Sequence, residues 1–207
     1  MSRGLTPSEH FMEHAMRTVW RTIAFAIVLV GWGLGPLAAQ SADPGPDQRY
    51  SPNELVNAGH QFFGTISQGL ATVIERAVSQ WGQPNGYILG QEAGGAIVAG
   101  LRYGDGTLYT KNAGDLRVYW QGPSVGFDWG GDGARTMMLV YNLPSTDAVY
   151  QRFAGIDGSA YIIGGFGMTA LTANNIVVVP IRSGVGLRLG ANLGYLKFTP
   201  VATWNPF

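Results

Sequence analysis

The spacing of hydrophobic positions along this chain changes at Gly86. Before it, Leu55, Gly59, Phe62, Ile66, Leu70, Val73 and Ala77 recur every three or four residues, flanked by Phe63, Ile74 and Trp81. Asn57, Gln61, Gln68, Thr72, Glu75 and Ser79 fall on the opposite side. This is the apolar stripe of one long α-helix. Ser51-Pro52-Asn53-Glu54 opens it as a capping box with proline in the first helical position. The helix should reach about Gln80, before Gly82-Gln83-Pro84-Asn85-Gly86 stops it. Gly59, Gly64 and Gly69 each cost about 1 kcal/mol relative to alanine inside a helix. The pattern therefore predicts a helix backbone lying close against a sheet.

After Gly86 the period becomes two. Ile97, Ala99, Leu101 and Tyr103 alternate with Ala96, Val98, Gly100 and Arg102, and Gly104-Asp105-Gly106 reads as a hairpin turn into a return strand from Leu108 to Lys111. Asn112-Ala113-Gly114-Asp115 turns again, ahead of a strand from Arg117 to Gln121. Gly130-Gly131-Asp132-Gly133 leads into a strand over 135–142, and Leu143-Pro144-Ser145 opens a short helix over 146–153. Further strands are expected over 160–169, 176–179, 185–189 and 195–198. Short strands at hairpin spacing predict a mainly β protein: a small antiparallel β-barrel of about ten strands, plugged by and packed with the long N-terminal amphipathic α-helix, plus a short second helix.

Composition sharpens this picture. There are 31 glycines, well above the usual share of about 7%. They have no three-residue period and lie among aromatic and β-branched residues, as in a bent, crowded sheet. Cysteine is absent, which removes disulfides, thiolate metal sites and cysteine nucleophiles. Acidic and basic residues balance at 13 each, and no basic excess points to nucleic acid.

The first residues read as an address. Arg17 and Arg21 precede an uncharged run over 22–42 with the apolar centre Ile23-Ala24-Phe25-Ala26-Ile27-Val28-Leu29-Val30. Gly33, Gly35 and Pro36 then break it, and the small residues Ala38, Ala39, Ser41 and Ala42 follow. These are the three parts of a secretory signal, expected over 1–41. A retained membrane anchor is the alternative, since the run is about long enough to span a bilayer. A proline-bearing linker is expected over 42–50 and one folded domain over 51–207. The periplasm, with a body that is soluble after cleavage, is the expected location.

Chemistry is sparse. Gly122-Pro123-Ser124-Val125-Gly126 matches the nucleophile-elbow text, but no histidine follows it and a helix is not expected after it, so a turn is the better reading. His60 is the one histidine after the signal, too few for a zinc site. Asp128-Trp129-Gly130-Gly131-Asp132-Gly133 offers calcium two carboxylates without the EF-hand spacing. Gly184-Val185-Gly186-Leu187-Arg188-Leu189-Gly190 lacks the helix a phosphate cradle needs. No cofactor is expected. Tyr103, Tyr109, Tyr119, Trp120, Phe127, Trp129 and Trp204 could stack on sugars or line a lipid groove, with barrel core as the plainer role. Arg102, Lys111, Arg117, Arg182 and Arg188 lie in strands, and two or three that converge would hold a phosphate or carboxylate. The candidates for a ligand site are thus Trp120, Asp128, Trp129, Arg182 and Arg188. An enzyme acting on envelope glycan, with a carboxylate pair drawn from Asp105, Asp115, Asp128 and Asp132, is the alternative to a non-enzymatic binding module. A barrel inserted in the outer membrane is a third reading, and strands mostly too short for it are expected.

Several runs resemble the EipA family of exported envelope-integrity proteins. They are Ser79-Gln80-Trp81-Gly82-Gln83-Pro84-Asn85-Gly86-Tyr87-Ile88-Leu89-Gly90, Gly104-Asp105-Gly106-Thr107-Leu108-Tyr109-Thr110-Lys111-Asn112-Ala113-Gly114, Arg182-Ser183-Gly184-Val185-Gly186, and the ending Lys197-Phe198-Thr199-Pro200 with Thr203-Trp204-Asn205-Pro206-Phe207. The resemblance covers nearly everything after Ser51. It implies a small periplasmic β-barrel carrying a helix, related in fold to SYLF lipid-binding domains. It also implies a non-enzymatic role in Gram-negative envelope integrity, with links to lipopolysaccharide, exercised on a lipid, glycan or protein partner. It carries over no binding residues. The basic lipid-binding helix of eukaryotic SYLF relatives has no counterpart here, because the long helix holds only Arg76 and His60 as basic residues.

Overall fold

The computed structural model describes residues 45, 48–64, 68–95, 99–125, 134–156, 159–183 and 194–205. The chain divides into two units, 1–41 and 42–207, and all described residues belong to the second. The expected signal over 1–41, the loop over 128–133 and the glycine-rich run over 184–190 lie outside the described residues.

The expected long helix is two helices, α1 (Pro52–Phe63) and α2 (Gln68–Trp81). The capping box forms as read: the Ser51 amide donates to Glu54 Oε2 at 2.7 Å, and the Glu54 amide donates to Ser51 Oγ at 3.4 Å. Gly64 is not a helix-interior glycine. It takes φ +81° and donates its amide to the His60 carbonyl, the left-handed cap that ends α1. Gly59 is bare where Leu70 of α2 presses on α1.

The described residues then form ten strands: β1 (Gly86–Gly95), β2 (Ala99–Thr110), β3 (Gly114–Val125), β4 (Ala134–Tyr141), β5 (Arg152–Gly155), β6 (Tyr161–Ile163), β7 (Phe166–Met168), β8 (Leu171–Ala173), β9 (Ile176–Ser183) and β10 (Tyr195–Thr199). Every pairing is antiparallel. The order β4-β1-β2-β3-β10-β5-β8-β9 returns on itself through a β4–β9 ladder, closing an eight-strand barrel, and β7 and β6 extend from the end of β9. Closure removes the free edges an open sheet would present.

Alternation sorts the side chains. Ile88, Leu108, Val118, Trp120, Met138, Val140, Phe153, Val178, Leu196 and Phe198 form one buried cluster, the barrel interior. Met137, Leu139 and Tyr141 of β4 and Val179 and Ile181 of β9 point outward and pack with Leu55, Leu70, Val73, Ile74 and Ala77 of the helices. The helices therefore lie against the outside of the wall and do not plug it. The interior is already filled by aromatic rings, with Phe198 between Phe153 (5.5 Å) and Trp120 (6.1 Å). Burial on both faces also accounts for the unbroken apolar runs Met137-Met138-Leu139-Val140-Tyr141 and Ile176-Val177-Val178-Val179, since alternation vanishes when neither face is wet.

Several local expectations change. Gly104-Asp105-Gly106 is no turn but the middle of β2, where bare backbone is needed by a neighbour described below. Ser124 lies in β3, opposite Gly100, and not in a turn; Gly122 is glycine because a Cβ there would strike the Tyr195 carbonyl. The short helix over 146–153 is a single 3₁₀ turn, Thr146–Val149, after which Arg152 and Phe153 already belong to β5. The strand over 160–169 is a hairpin, β6–β7, turned by Gly164 and Gly165 at positive φ. Asn174 and Asn175, at φ 46° and 69°, form a tight turn between β8 and β9.

Candidate functional site

Strand register dictates what meets inside one end of the barrel. Glu92 of β1 pairs with Gly104 of β2, and Gly104 pairs with Trp120 of β3, so all three point inward in a row. A Cβ on Gly104 would collide with the Trp120 indole, and one on Gly90 would also strike it. The two bare positions let the indole lie flat across β2 and β1, where its Nε1 donates to Glu92 Oε2 at 2.9 Å. From β9, two strands from β1 through β4, Arg182 grips the same carboxylate, Nε to Oε1 at 3.0 Å and Nη2 to Oε2 at 3.1 Å. Arg102 of β2 adds its Nη1 at 3.9 Å from Oε1. Burial by itself raises the Glu92 pKa, but the Arg182 and Arg102 charges and the Arg182 and Trp120 hydrogen bonds outweigh it and hold the carboxyl below its ordinary value.

Of the sequence candidates, Trp120 and Arg182 are thus brought together, by a residue the sequence reading passed over. Asp128, Trp129 and Arg188 lie outside the described residues. The expected convergence of strand arginines is real for Arg102 and Arg182, and what they hold is an internal carboxylate. Arg117 instead meets Asp105 on the outer surface, and Lys111 meets Glu54 at 2.9 Å. Glu92 did leave a signal in the sequence. In Gly90-Gln91-Glu92-Ala93-Gly94 a period of two sets one charge on a face otherwise made of glycine. With both oxygens occupied by fixed donors, that carboxylate is a structural knot.

The outer side of the same three strands is different. A cavity of about 440 Å³ lies over β1–β3, bounded by Gln91, Tyr103, Asp105, Tyr119 and Gln121 and by the segment 202–204. Its floor is Gly104, with Trp120 directly behind on the barrel side. Trp204 overhangs it. The Tyr103 hydroxyl donates to the Trp204 carbonyl at 3.0 Å, and the two rings meet edge to face at 5.2 Å. Trp204 nevertheless keeps 85% of its surface exposed. Gln121, in contrast, is 1% exposed, and its Nε2 has no hydrogen-bond partner. Tyr103, Tyr119 and Trp204 were legible as aromatics; Gln91 and Gln121 were not, because an amide in a strand carries no pattern of its own.

A family model described as Envelope integrity protein A (EipA) matches residues 48–207. The chain is also similar to the crystal structure of a beta-barrel-like, uncharacterized protein from Brucella abortus, at 56% identity and a TM-score of 0.72 over 77% of this chain and 99% of that one. No curated protein matches. A closed barrel with this register, matched over its whole length by the family model, makes the chain a member of the EipA, or envelope integrity protein A, family.

Proposed function

We propose that this protein is a non-enzymatic periplasmic binding module that supports the Gram-negative envelope, and that it receives its ligand in the outer β1–β3 groove. The carrying observation is the contrast between the two sides of one sheet. The inner side is packed around a carboxylate held by Arg182, Arg102 and Trp120, whereas the outer side holds an open cavity with an exposed indole and a buried, unsatisfied amide. Export rests on the Arg-flanked apolar run and small-residue end before Ser41. No helix among the described residues is long and apolar enough to cross a membrane. The barrel's strands are longer than the sequence suggested, 12 residues in β2 and β3. Yet Gln91, Asp105 and Arg117 face out from β1–β3, and the outward apolar residues of β4 and β9 are covered by the helices, unlike the bare apolar band of a lipid-embedded barrel.

The enzymatic alternative has one observation in its favour: Asp105 and Glu92 both border the groove. A glycosidase acid must hold a proton at neutral pH and release it to the leaving group. Glu92 is kept ionised by its arginines, and Asp105 is engaged by Arg117, which favours the binding reading. The test is deletion of the gene and complementation with wild type, Trp204→Ala or Tyr119→Ala, scored for detergent and β-lactam sensitivity. Wild type should restore resistance and the groove variants should not. Full rescue by both variants would overturn the groove as the working site.

A further inference from the structure

We infer that the occupant of the β1–β3 groove is an uncharged stretch of glycan, an inference that rests on the groove being the binding site. Gln121 stands in the groove wall. Its outward side chain is sealed from water at the groove wall, yet its Nε2 donates to nothing. Buried donors without acceptors are rare in folded proteins, because folding has stripped their water without replacement. The residue borders the cavity, and a turn of its amide toward the groove presents that donor to a ligand oxygen.

The lining then sorts the possible ligands. Among the described residues bordering the cavity there is no lysine or arginine, while Asp105 and Glu92 are both carboxylates. A phosphate or carboxylate headgroup would find no cation among these lining residues, because Arg117 is already committed to Asp105 and the arginines on Glu92 face the barrel interior. An acyl chain would cover Gln91, Asp105 and Gln121 without satisfying any of them, which is costly for polar groups taken out of water. A sugar ring answers both difficulties. Its ring and hydroxyl oxygens accept from Gln121, its hydroxyls donate to Asp105 and to the Gln91 carbonyl oxygen, and its C–H face lies on an aromatic plane. That plane is Trp204, held in place by the Tyr103 hydroxyl and ring yet exposed over most of its area. A prepositioned platform loses little freedom on binding. The cavity, about 440 Å³, falls in the ordinary range for small-ligand sites, about 300–1,000 Å³.

The test uses the purified protein titrated with maltotriose, chitotriose and mannotriose, read by NMR on the assigned Trp204 indole and Gln121 side-chain amide. At least one trisaccharide should give saturable shifts at both positions. Trp204→Ala should weaken that binding by about tenfold or more, and Gln121→Leu by about three- to tenfold, the loss of one hydrogen bond. Trp204 is exposed, so its variant should unfold at the wild-type temperature and separate binding from folding. Saturable Trp204 shifts with phosphatidylglycerol vesicles or inorganic phosphate, together with none from the three sugars, would overturn the glycan assignment. If the sugars fail while the groove variants still fail to complement in cells, the ligand class is wrong and the site is right. If the groove variants also complement fully, the site itself is wrong.

Discussion

At the scale of single residues, the molecule depends on one buried carboxylate. Replacing Glu92 by glutamine leaves Arg182 and Arg102 in a dry interior facing a neutral amide. Breaking a buried pair from one side costs about 3–5 kcal/mol, so urea unfolding of Glu92→Gln should show a loss of that size, and a wild-type midpoint would refute the knot. Its folded-state pKa is lowered. Its contribution is therefore complete at neutral pH and is lost only as the pH falls through that depressed value. Glu54 is the surface counterpart. The bond from Lys111, then those from the Ser51 amide and hydroxyl, lower it from 4.5 to about 2. Its contribution to capping α1 is present above about pH 4.5 and disappears on acidification toward about 2. The carboxyl is exposed, so the effect on stability is small. The direct check is carbon NMR titration of Glu54: a midpoint near the ordinary glutamate value with Lys111 intact would contradict the geometry, and Lys111→Met should raise the midpoint.

Secondary-structure elements were legible where one physical reason governs a segment. Ser51 and Glu54 announce a helix start because orphan amides need acceptors. Glycine was misread because it serves two purposes. In Gly164 and Gly165 it bends the chain, but in Gly104 and Gly106 it makes room, for the Trp120 indole and for the Leu89 backbone of β1 respectively. A sequence shows the missing side chain and not which neighbour required it. β1 leaves little strand signal in the sequence for a related reason, since Gly90 and Gly94 dilute its alternation. The groove was half legible: its aromatics stand out, while Gln121 becomes informative only once it is known to be buried. The contact of α2 with the β6–β7 turn tests whether glycine makes room. Gly69 touches the Gly164 carbonyl so closely that a Cβ has no space, whereas Gly82, at φ +79°, has nothing within 4 Å. Gly69→Ala should lower stability by about 1–3 kcal/mol despite the better helix former. Gly82→Ala should lose about 1 kcal/mol from the left-handed backbone alone. Equal losses in thermal unfolding would mean that contact is not decisive.

At the largest scale, the unit over 42–207 is a ring of strands with a helical pair on one flank. Its ladders differ in length: β2 pairs with β3 over 12 positions and with β1 over 10, while β6 pairs with β7 over three and has no other neighbour among the described strands. Amide hydrogen exchange should therefore be slowest at the centre of β2 and fastest in β6, and uniform protection would argue against so uneven a wall. The helical pair covers β4 and β9 and leaves the outer side of β1–β3 open for the groove. The position of β10 has a consequence for biogenesis. It stands between β3 and β5, although it is made more than 40 residues after β5 begins. A nascent polypeptide emerging N-terminus first keeps an unzipped seam, with Trp120 and Phe153 lacking Phe198, until that last stave arrives. Prematurely released fragments should then be easy prey for proteases, and finished copies should become resistant in a single late step.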